Sequence, residues 1–146
     1  MSRLPFLFVL VLVFALTAAA GADQRTDPRE QAMSDSLDLW REGRFEQLYD
    51  SLSHRSGMTR ERFVHTMKDA GIKPACCFNK LNNFRLISEK RTTAKVFARL
   101  GMEGSPGVDD SQSREFTLDH EEGRWKMRMT DIKALAAQPG HRKKKR

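Results

Sequence analysis

The sequence predicts an α+β fold in which helices come first and antiparallel strands follow. Apolar residues recur with a helical period up to Pro74 and alternate with a period of two after it. Residues 121–123, Glu-Glu-Gly, separate the last two alternating segments and predict a hairpin turn. We therefore expect N-terminal helices packed on a curved antiparallel sheet of about four strands.

The first 22 residues have the pattern of a signal peptide. Arg3 precedes an apolar run over residues 4–16, and Ala20-Gly21-Ala22 is the small-residue motif that precedes cleavage. Cleavage near Ala22 predicts a secreted or periplasmic protein. The alternative is an uncleaved anchor, although the apolar run is at the short end of the roughly 17–25 residues that span a bilayer.

The positive charge is concentrated at the C-terminus. The chain has 26 basic and 19 acidic residues, and Arg3 with five tail residues accounts for six of the basic ones, which leaves 20 against 19. This balance argues against a specific nucleic-acid partner. We divide the chain into a signal peptide (1–22), one domain (23–133) and a disordered basic tail (134–146). The basic tail residues are Arg142, Lys143, Lys144, Lys145 and Arg146.

Three helices are predicted before Pro74. Asp27 is placed to cap the first, with Pro28 at the first helical position. The second carries Phe45 and Tyr49 on its apolar face, and Thr59 is placed to cap the third.

Four strands are predicted over residues 84–88, 92–102, 114–120 and 124–132. The helices and strands each have one apolar face, so we expect these faces to meet in a single core or pocket. The residues predicted there are Trp40, Phe45, Tyr49, Phe63, Met67, Val96, Phe116, Trp125, Met127 and Met129.

Three segments, in this order, resemble the nuclear transport factor 2-like superfamily, particularly its secreted uncharacterised bacterial members. They are LWREGRFEQLYDSLS (39–53), MTRERFVHTM (58–67) and FTLDHEEGRWKMRMTDI (116–132). The resemblance implies the cone-shaped, cystatin-like α+β fold, with a pocket between the sheet and the helices. Members include isomerases, dehydratases, cyclases and non-catalytic binding domains, so the fold does not decide the function.

Asp131 and Tyr49 are the candidate catalytic residues. The alternation predicts that Asp131 points inward near the end of the last strand, and its alternative role is to accept backbone hydrogen bonds there. The Tyr49 hydroxyl either enters a pocket or reaches the rim of the core. His65 and His120 are interpreted as surface residues, and no complete family catalytic set is found.

We therefore expect an exported, non-catalytic domain, without a cofactor or metal, that binds a small apolar ligand or a protein partner. One alternative is a small lyase or isomerase that uses an acid in the cone pocket. Another is an envelope-surface interaction module, attached to an anionic surface through the basic tail.

Cys76 and Cys77 are the two cysteines of the chain, and they are adjacent. The sequence lacks the second pair of ligands that a zinc site needs. Buried structural cysteines are the favoured interpretation, followed by a vicinal disulfide and then by a bridge between two chains.

The outward face of the sheet is predicted to be basic. Lys95, Arg99, Lys126 and Arg128 share it, with Phe97 among them. Such a face would hold an anionic partner, form a homodimer through the sheet, or remain solvated.

Overall fold

The structure is a computed structural model that describes residues 26–104 and 110–137. Its helices are α1 (Pro28–Arg41), α2 (Phe45–Ser51), α3 (Arg60–Lys68) and α4 (Met129–Ala136), with a 3-10 turn at Cys77–Asn79. Its strands are β1 (Lys73–Pro74), β2 (Leu81–Lys90), β3 (Thr93–Leu100), β4 (Met102–Glu103), β5 (Gln112–Glu121) and β6 (Arg124–Met127). The predicted signal peptide and the five basic tail residues lie outside the described residues.

The predicted helix starts are confirmed. The Asp27 side chain accepts a hydrogen bond from the Arg29 backbone N–H at 2.8 Å, and Pro28 is the first residue of α1. The Thr59 hydroxyl accepts from the Arg62 N–H at 3.3 Å at the start of α3. Both side chains satisfy N–H groups that have no partner within the helix.

The α+β class is also confirmed. Strands β2, β3, β5 and β6 form an antiparallel sheet in that order, and β1 pairs with β4 in a separate two-stranded sheet that was not predicted. The predicted hairpin turn joins β5 to β6. Glu122 and Gly123 have φ angles of 53° and 75°, the two left-handed positions that a two-residue turn of this kind requires.

The prediction of a strand over residues 124–132 is wrong after Met127. Ser53 pairs with the chain there, because its N–H donates to the Met127 carbonyl and its carbonyl accepts from the Met129 N–H. This bridge draws the chain away from the sheet, and α4 follows. The helices are therefore not all N-terminal. The predicted domain boundary at 133 lies inside α4, and residues 134–136, predicted to be disordered, are helical.

The core lies between the helices and one face of the four-stranded sheet. Val96, Phe116 and Met127 face it from the strands, and Met129 reaches it from α4 rather than from a strand. Phe45, Tyr49 and Trp125 are partly buried against this cluster, and the other residues predicted for the core or pocket are buried within it. Apolar burial at roughly 25 cal/mol per Å² makes this cluster the main source of stability. None of the helices in the described ranges is long and apolar enough to cross a bilayer.

Candidate functional site

The Tyr49 hydroxyl is hydrogen-bonded to the backbone of a nearby segment of the chain. The hydroxyl donates a hydrogen bond to the Met58 carbonyl at 2.9 Å, and the ring packs against Phe63 with centroids 5.5 Å apart. This position ties α2 to the segment that precedes α3. Of the two positions predicted for the hydroxyl, a pocket or the rim of the core, this contact matches the rim.

Asp131 lies in the first turn of α4, so its predicted position on an inward-facing strand is wrong. Its carboxylate accepts a hydrogen bond from the Thr117 N–H at 3.1 Å. Strand β6 ends at Met127, opposite Leu118, so Asp131 supplies the acceptor where the pairing of β5 with β6 stops. This contact matches the alternative role considered for Asp131, that of accepting a backbone hydrogen bond.

The predicted basic face is not continuous. Lys95 and Arg99 are exposed, but Lys126 is only 4 % exposed and donates to the Glu122 carboxylate. Arg128 binds the Asp119 carboxylate. Acidic neighbours therefore pair with two of the four basic side chains predicted for this face.

Phe97, at the centre of the predicted basic face, is covered by Arg85. The guanidinium of Arg85 lies 4.4 Å from the Phe97 ring centroid. The ring is half-buried as a result.

His65 and His120 have local partners. His65 Nδ1 lies 2.9 Å from an Asp69 carboxylate oxygen, and both side chains are exposed. The four-residue spacing of His65 on α3 and Asp69 at its C-terminal cap was a signal for this contact that sequence reasoning missed. His120 is exposed and packs edge-on against Trp125 at 5.0 Å between ring centroids.

A polar cluster around Asp119 was not predicted. The carboxylate accepts from the Ser53 hydroxyl at 2.8 Å and from the Thr93 hydroxyl at 3.3 Å, and His54 Nε2 lies 3.2 Å away. Hydrogen bonds from the Arg128 guanidinium hold the pKa of Asp119 below its ordinary value although burial opposes this, and the Ser53 hydroxyl adds to the effect.

The Asp119 cluster is not arranged as a catalytic triad. In a triad the histidine lies between the hydroxyl and the carboxylate. Here Ser53 and His54 each contact the Asp119 carboxylate directly. We interpret the cluster as the structural link between the bridge at Ser53 and the sheet.

Cys76 and Cys77 form a disulfide, and both residues are exposed. The favoured prediction of buried cysteines is therefore wrong, and the second-ranked interpretation describes the structure. The disulfide lies in the loop between β1 and β2, next to the 3-10 turn.

The same loop borders a groove of about 610 Å³, which we call the asparagine groove. Its volume lies within the range of roughly 300–1,000 Å³ that is usual for small-molecule sites. The groove is lined by Ala75, Asn79, Asn82, Asn83, Arg99, Gly101, Met102, Glu103 and Ser111.

The backbone at this groove is unusual. Cys77 and Asn83 have φ angles of 59° and 53°, in the left-handed region. Two β2 residues, Asn83 and Phe84, lie opposite Ala98 alone, which is a β-bulge. Such conformations concentrate at binding and active sites. The available sequence signal was the density of asparagine over residues 79–83, because asparagine tolerates this conformation.

Gly101 fixes the loop that borders the groove. Its carbonyl accepts from the Ala75 N–H at 2.8 Å, and its N–H donates to the Lys80 carbonyl at 3.1 Å. A Cβ at this position would lie 2.0 Å from the Asn79 carbonyl oxygen, so a glycine is required. The close backbone approach holds Asn79 at the groove wall.

Helix α1 braces the same loop from behind. The Lys80 ammonium donates to Asp38, and Arg41 donates to the Pro74 carbonyl at 2.7 Å and to Glu103 at 3.2 Å. These contacts support the groove from a rigid element, which is the arrangement that preorganises a binding site.

Two carboxamides in the groove are available for a ligand. Within residues 26–104 and 110–137, the side chains of Asn79 and Asn83 have no hydrogen-bond partner, and both residues are exposed. Asn82 donates to the Asn79 carbonyl at 3.2 Å. A carboxamide offers both donors and an acceptor to a ligand.

A second groove, of about 280 Å³, lies between α1 and β6. Pro28, Ala32 and Trp125 are among its lining residues. Its volume is below the usual range for small-molecule sites, so we regard the asparagine groove as the better candidate. The described part of the chain contains no group of three His, Cys, Asp or Glu side chains that could hold a metal ion.

No protein-family model matches the chain, and no curated protein matches it. The function is therefore inferred from the geometry of the asparagine groove and its surroundings.

Proposed function

We propose that the protein is a non-catalytic binding domain that takes its ligand in the asparagine groove. The observation that carries this proposal is the pair of exposed carboxamides, Asn79 and Asn83, held in a braced segment in which Cys77 and Asn83 have left-handed backbone. Unusual backbone conformations persist only where the surrounding structure stabilises them. Here Gly101 and helix α1 provide that stabilisation.

The wider architecture is proposed to be the nuclear transport factor 2-like cone, in an exported protein. Three helices precede a four-stranded antiparallel sheet, and the hairpin at Glu122 and Gly123 occurs within the segment that most resembles that superfamily. Export is supported by the signal-peptide pattern of residues 1–22.

Binding at the surface is favoured over binding in the interior. Side chains such as Trp40, Phe63 and Phe116 fill the space between the helices and the sheet. The hydroxyl of Tyr49 and the carboxylate of Asp131 each contact a backbone group. These contacts weigh against both a small apolar ligand inside the cone and a lyase or isomerase built on these two residues.

A fragment screen by protein-observed NMR tests the proposal. We expect neutral polar fragments to shift the amide signals of residues 75–83 and 99–103. Asn79→Ala and Arg99→Ala should reduce these shifts. Gln47→Ala and Arg62→Ala are matched controls, because they remove the same chemical groups from exposed positions on α2 and α3.

The control variants should leave the fragment shifts unchanged. Fragment shifts that map instead to core residues such as Met33 and Phe63, or to the groove beside Trp125, would overturn the assignment. Failure of every fragment to shift residues of the asparagine groove would overturn it as well.

A further inference from the structure

We propose that the ligand of the asparagine groove is a neutral saccharide. This inference rests on the proposed binding function and adds the chemical class of the ligand. It is carried by three features, namely the two carboxamides that have no partner among the described residues, an exposed aromatic ring next to Asn79 in the chain, and charged lining residues that already have partners.

The hydrogen-bonding groups of the groove suit neighbouring hydroxyl groups. Asn79 and Asn83 each present an amide that donates and accepts. A sugar hydroxyl likewise donates one hydrogen bond and accepts others. Planar amide groups can therefore bind two adjacent hydroxyls of one ring at the same time.

Phe78 supplies an exposed apolar surface next to Asn79 in the chain. It immediately precedes Asn79 and is 94 % exposed, which is the highest exposure among the large apolar side chains of the described residues. An exposed aromatic ring of this kind commonly marks a contact surface. The C–H face of a pyranose ring is apolar and of similar width, so it can stack on Phe78 while the hydroxyls reach the asparagines.

The Cys76–Cys77 disulfide adjoins Phe78 in the chain and is also exposed. A disulfide carries no charge and donates no hydrogen bond, unlike a pair of thiols, so it adds contact area without binding water strongly. The left-handed Cys77 turns the chain at this point, between the groove residues Ala75 and Asn79.

The charges favour a neutral ligand over an anionic one. Among the described residues that line the groove, Arg99 is the basic residue and Glu103 the acidic one. Glu103 forms an ion pair with Arg41 at 3.2 Å, and Arg99 also has an interaction partner, so neither charge stands alone in the groove. A site for phosphate or sulfate would need an excess of positive charge, which this lining does not have.

Titration of the chain from residue 23 with a saccharide panel tests the inference. The panel contains neutral disaccharides and trisaccharides of glucose, galactose, mannose and N-acetylglucosamine, and sulfated forms of the same sugars. We expect at least one neutral saccharide to shift the amide signals of residues 75–83 and 99–103 to saturation. Its affinity should change less than about twofold between low and high NaCl, because no net charge is neutralised.

Variants test the stacking surface separately. Phe78→Ala should weaken binding of that saccharide about tenfold, whereas Phe78→Tyr should retain it because the ring is kept. Cys76→Ser combined with Cys77→Ser should weaken binding by a smaller factor. Ile87→Ala is the matched control, because Ile87 is another exposed apolar residue and lies within β2, eight residues after Asn79 in the chain.

The outcomes separate this inference from the proposed function. If no neutral saccharide binds while polar fragments still shift the groove residues, the saccharide class is wrong and the groove remains a binding site. Binding confined to the sulfated sugars, with an affinity that falls steeply with salt, would also overturn it. If Phe78→Ala bound the saccharide with unchanged affinity, Phe78 would not be a stacking surface and the inference would be wrong.

Discussion

Arg128 donates two hydrogen bonds to the Asp119 carboxylate, from Nε to one oxygen at 2.8 Å and from Nη2 to the other at 2.9 Å. The Asp119 side chain is only 8 % exposed, so its carboxylate is largely shielded from water.

Asp119→Ala removes the hydrogen-bond acceptor of both Arg128 and Ser53. We expect it to lower the free energy of unfolding by about 3 kcal/mol, because the partners of a buried charge lose their hydrogen bonds. Urea unfolding followed by tryptophan fluorescence measures this change.

Glu115→Ala is the control for this substitution. Glu115 lies on the same strand, is exposed and pairs in register with Phe97. Its removal should change the free energy of unfolding by less than about 0.5 kcal/mol. Equal effects of the two substitutions would show that the Asp119 cluster does not stabilise the bridge at Ser53.

The same carboxylate predicts a dependence of stability on pH. The Arg128 and Ser53 hydrogen bonds lower the pKa of Asp119 in the folded protein, against the effect of burial. A lowered pKa stabilises the fold above the unfolded-state value of about 3.9, and this contribution is lost as the pH falls through the folded-state pKa. The difference in unfolding free energy between the wild type and Asp119→Asn should therefore be present at about pH 5 and shrink below about pH 4.

Urea unfolding at a series of pH values checks this prediction. The other acidic groups titrate in both proteins, so their contributions cancel in the difference. A difference that stays constant down to the acid-unfolding region would contradict the assignment of the lowered pKa to Asp119.

The sequence alone predicted the structural features that depend on neighbouring residues in the chain. Asp27 and Thr59 cap the helices as predicted because capping requires only a side chain and a neighbouring N–H. The turn at Glu122 and Gly123 follows from the same kind of local rule.

The structural features that the sequence did not predict depend on contacts between residues far apart in the chain. Residues 127–136 satisfy both an alternating and a helical apolar pattern, since Met129, Ile132 and Leu135 lie on one helical face. The pairing of Ser53 with the chain beside Arg128 ends the strand and selects the helix. No local pattern could reveal this pairing.

The candidate site was missed for a similar reason. The asparagine groove unites residues of the loop before β2 with Arg99 and Glu103, which lie on other strands. Sequence reasoning placed Arg99 on a basic outer face and considered the cysteines by themselves. The β-bulge at Asn83 and the close approach at Gly101 bring the groove together, and both depend on the pairing of β2 with β3 and of β1 with β4.

Gly101→Ala should disrupt the groove. The added Cβ would meet the Asn79 carbonyl oxygen at 2.0 Å, and this neighbour is backbone, which cannot move aside without displacing the loop. We expect a loss of about 2 kcal/mol in the free energy of unfolding, and loss of the fragment shifts at residues 75–83. Denaturant unfolding and the NMR screen measure the two effects.

Gly71→Ala is the matched control for Gly101→Ala. Nothing lies within 4 Å of a Cβ built at Gly71, and its φ is outside the left-handed region. This substitution should leave both stability and fragment binding close to those of the wild type. If Gly101→Ala behaved like Gly71→Ala, the claim that the loop packs closely against Gly101 would be wrong.

Tyr49→Phe should affect stability and leave binding unchanged. The substitution removes the hydrogen bond to the Met58 carbonyl and keeps the ring that packs on Phe63. We expect a loss of about 1 kcal/mol in the free energy of unfolding, which is typical of one hydrogen bond. Fragment shifts at the asparagine groove should be the same as in the wild type. A variant of unchanged stability, or one with altered groove binding, would argue against this structural role of Tyr49.

Arg41→Ala tests whether α1 preorganises the groove. The substitution removes the hydrogen bond to the Pro74 carbonyl and the ion pair with Glu103, so the support between α1 and the small β1–β4 sheet is weakened. We expect groove affinity for a fragment to fall by about fivefold, with a loss of about 1 kcal/mol in stability.

Arg44→Ala separates preorganisation from a general effect of charge. Arg44 lies three residues after Arg41, is exposed and pairs with Glu42 at 2.9 Å, and it is not among the described residues that line the groove. Its removal should leave fragment affinity unchanged, because an exposed ion pair of this kind contributes little. If both variants weakened binding equally, long-range charge would explain the effect of Arg41. If neither did, the loop would hold its shape without α1, and the groove would owe its form to Gly101 and the bulge at Asn83 alone.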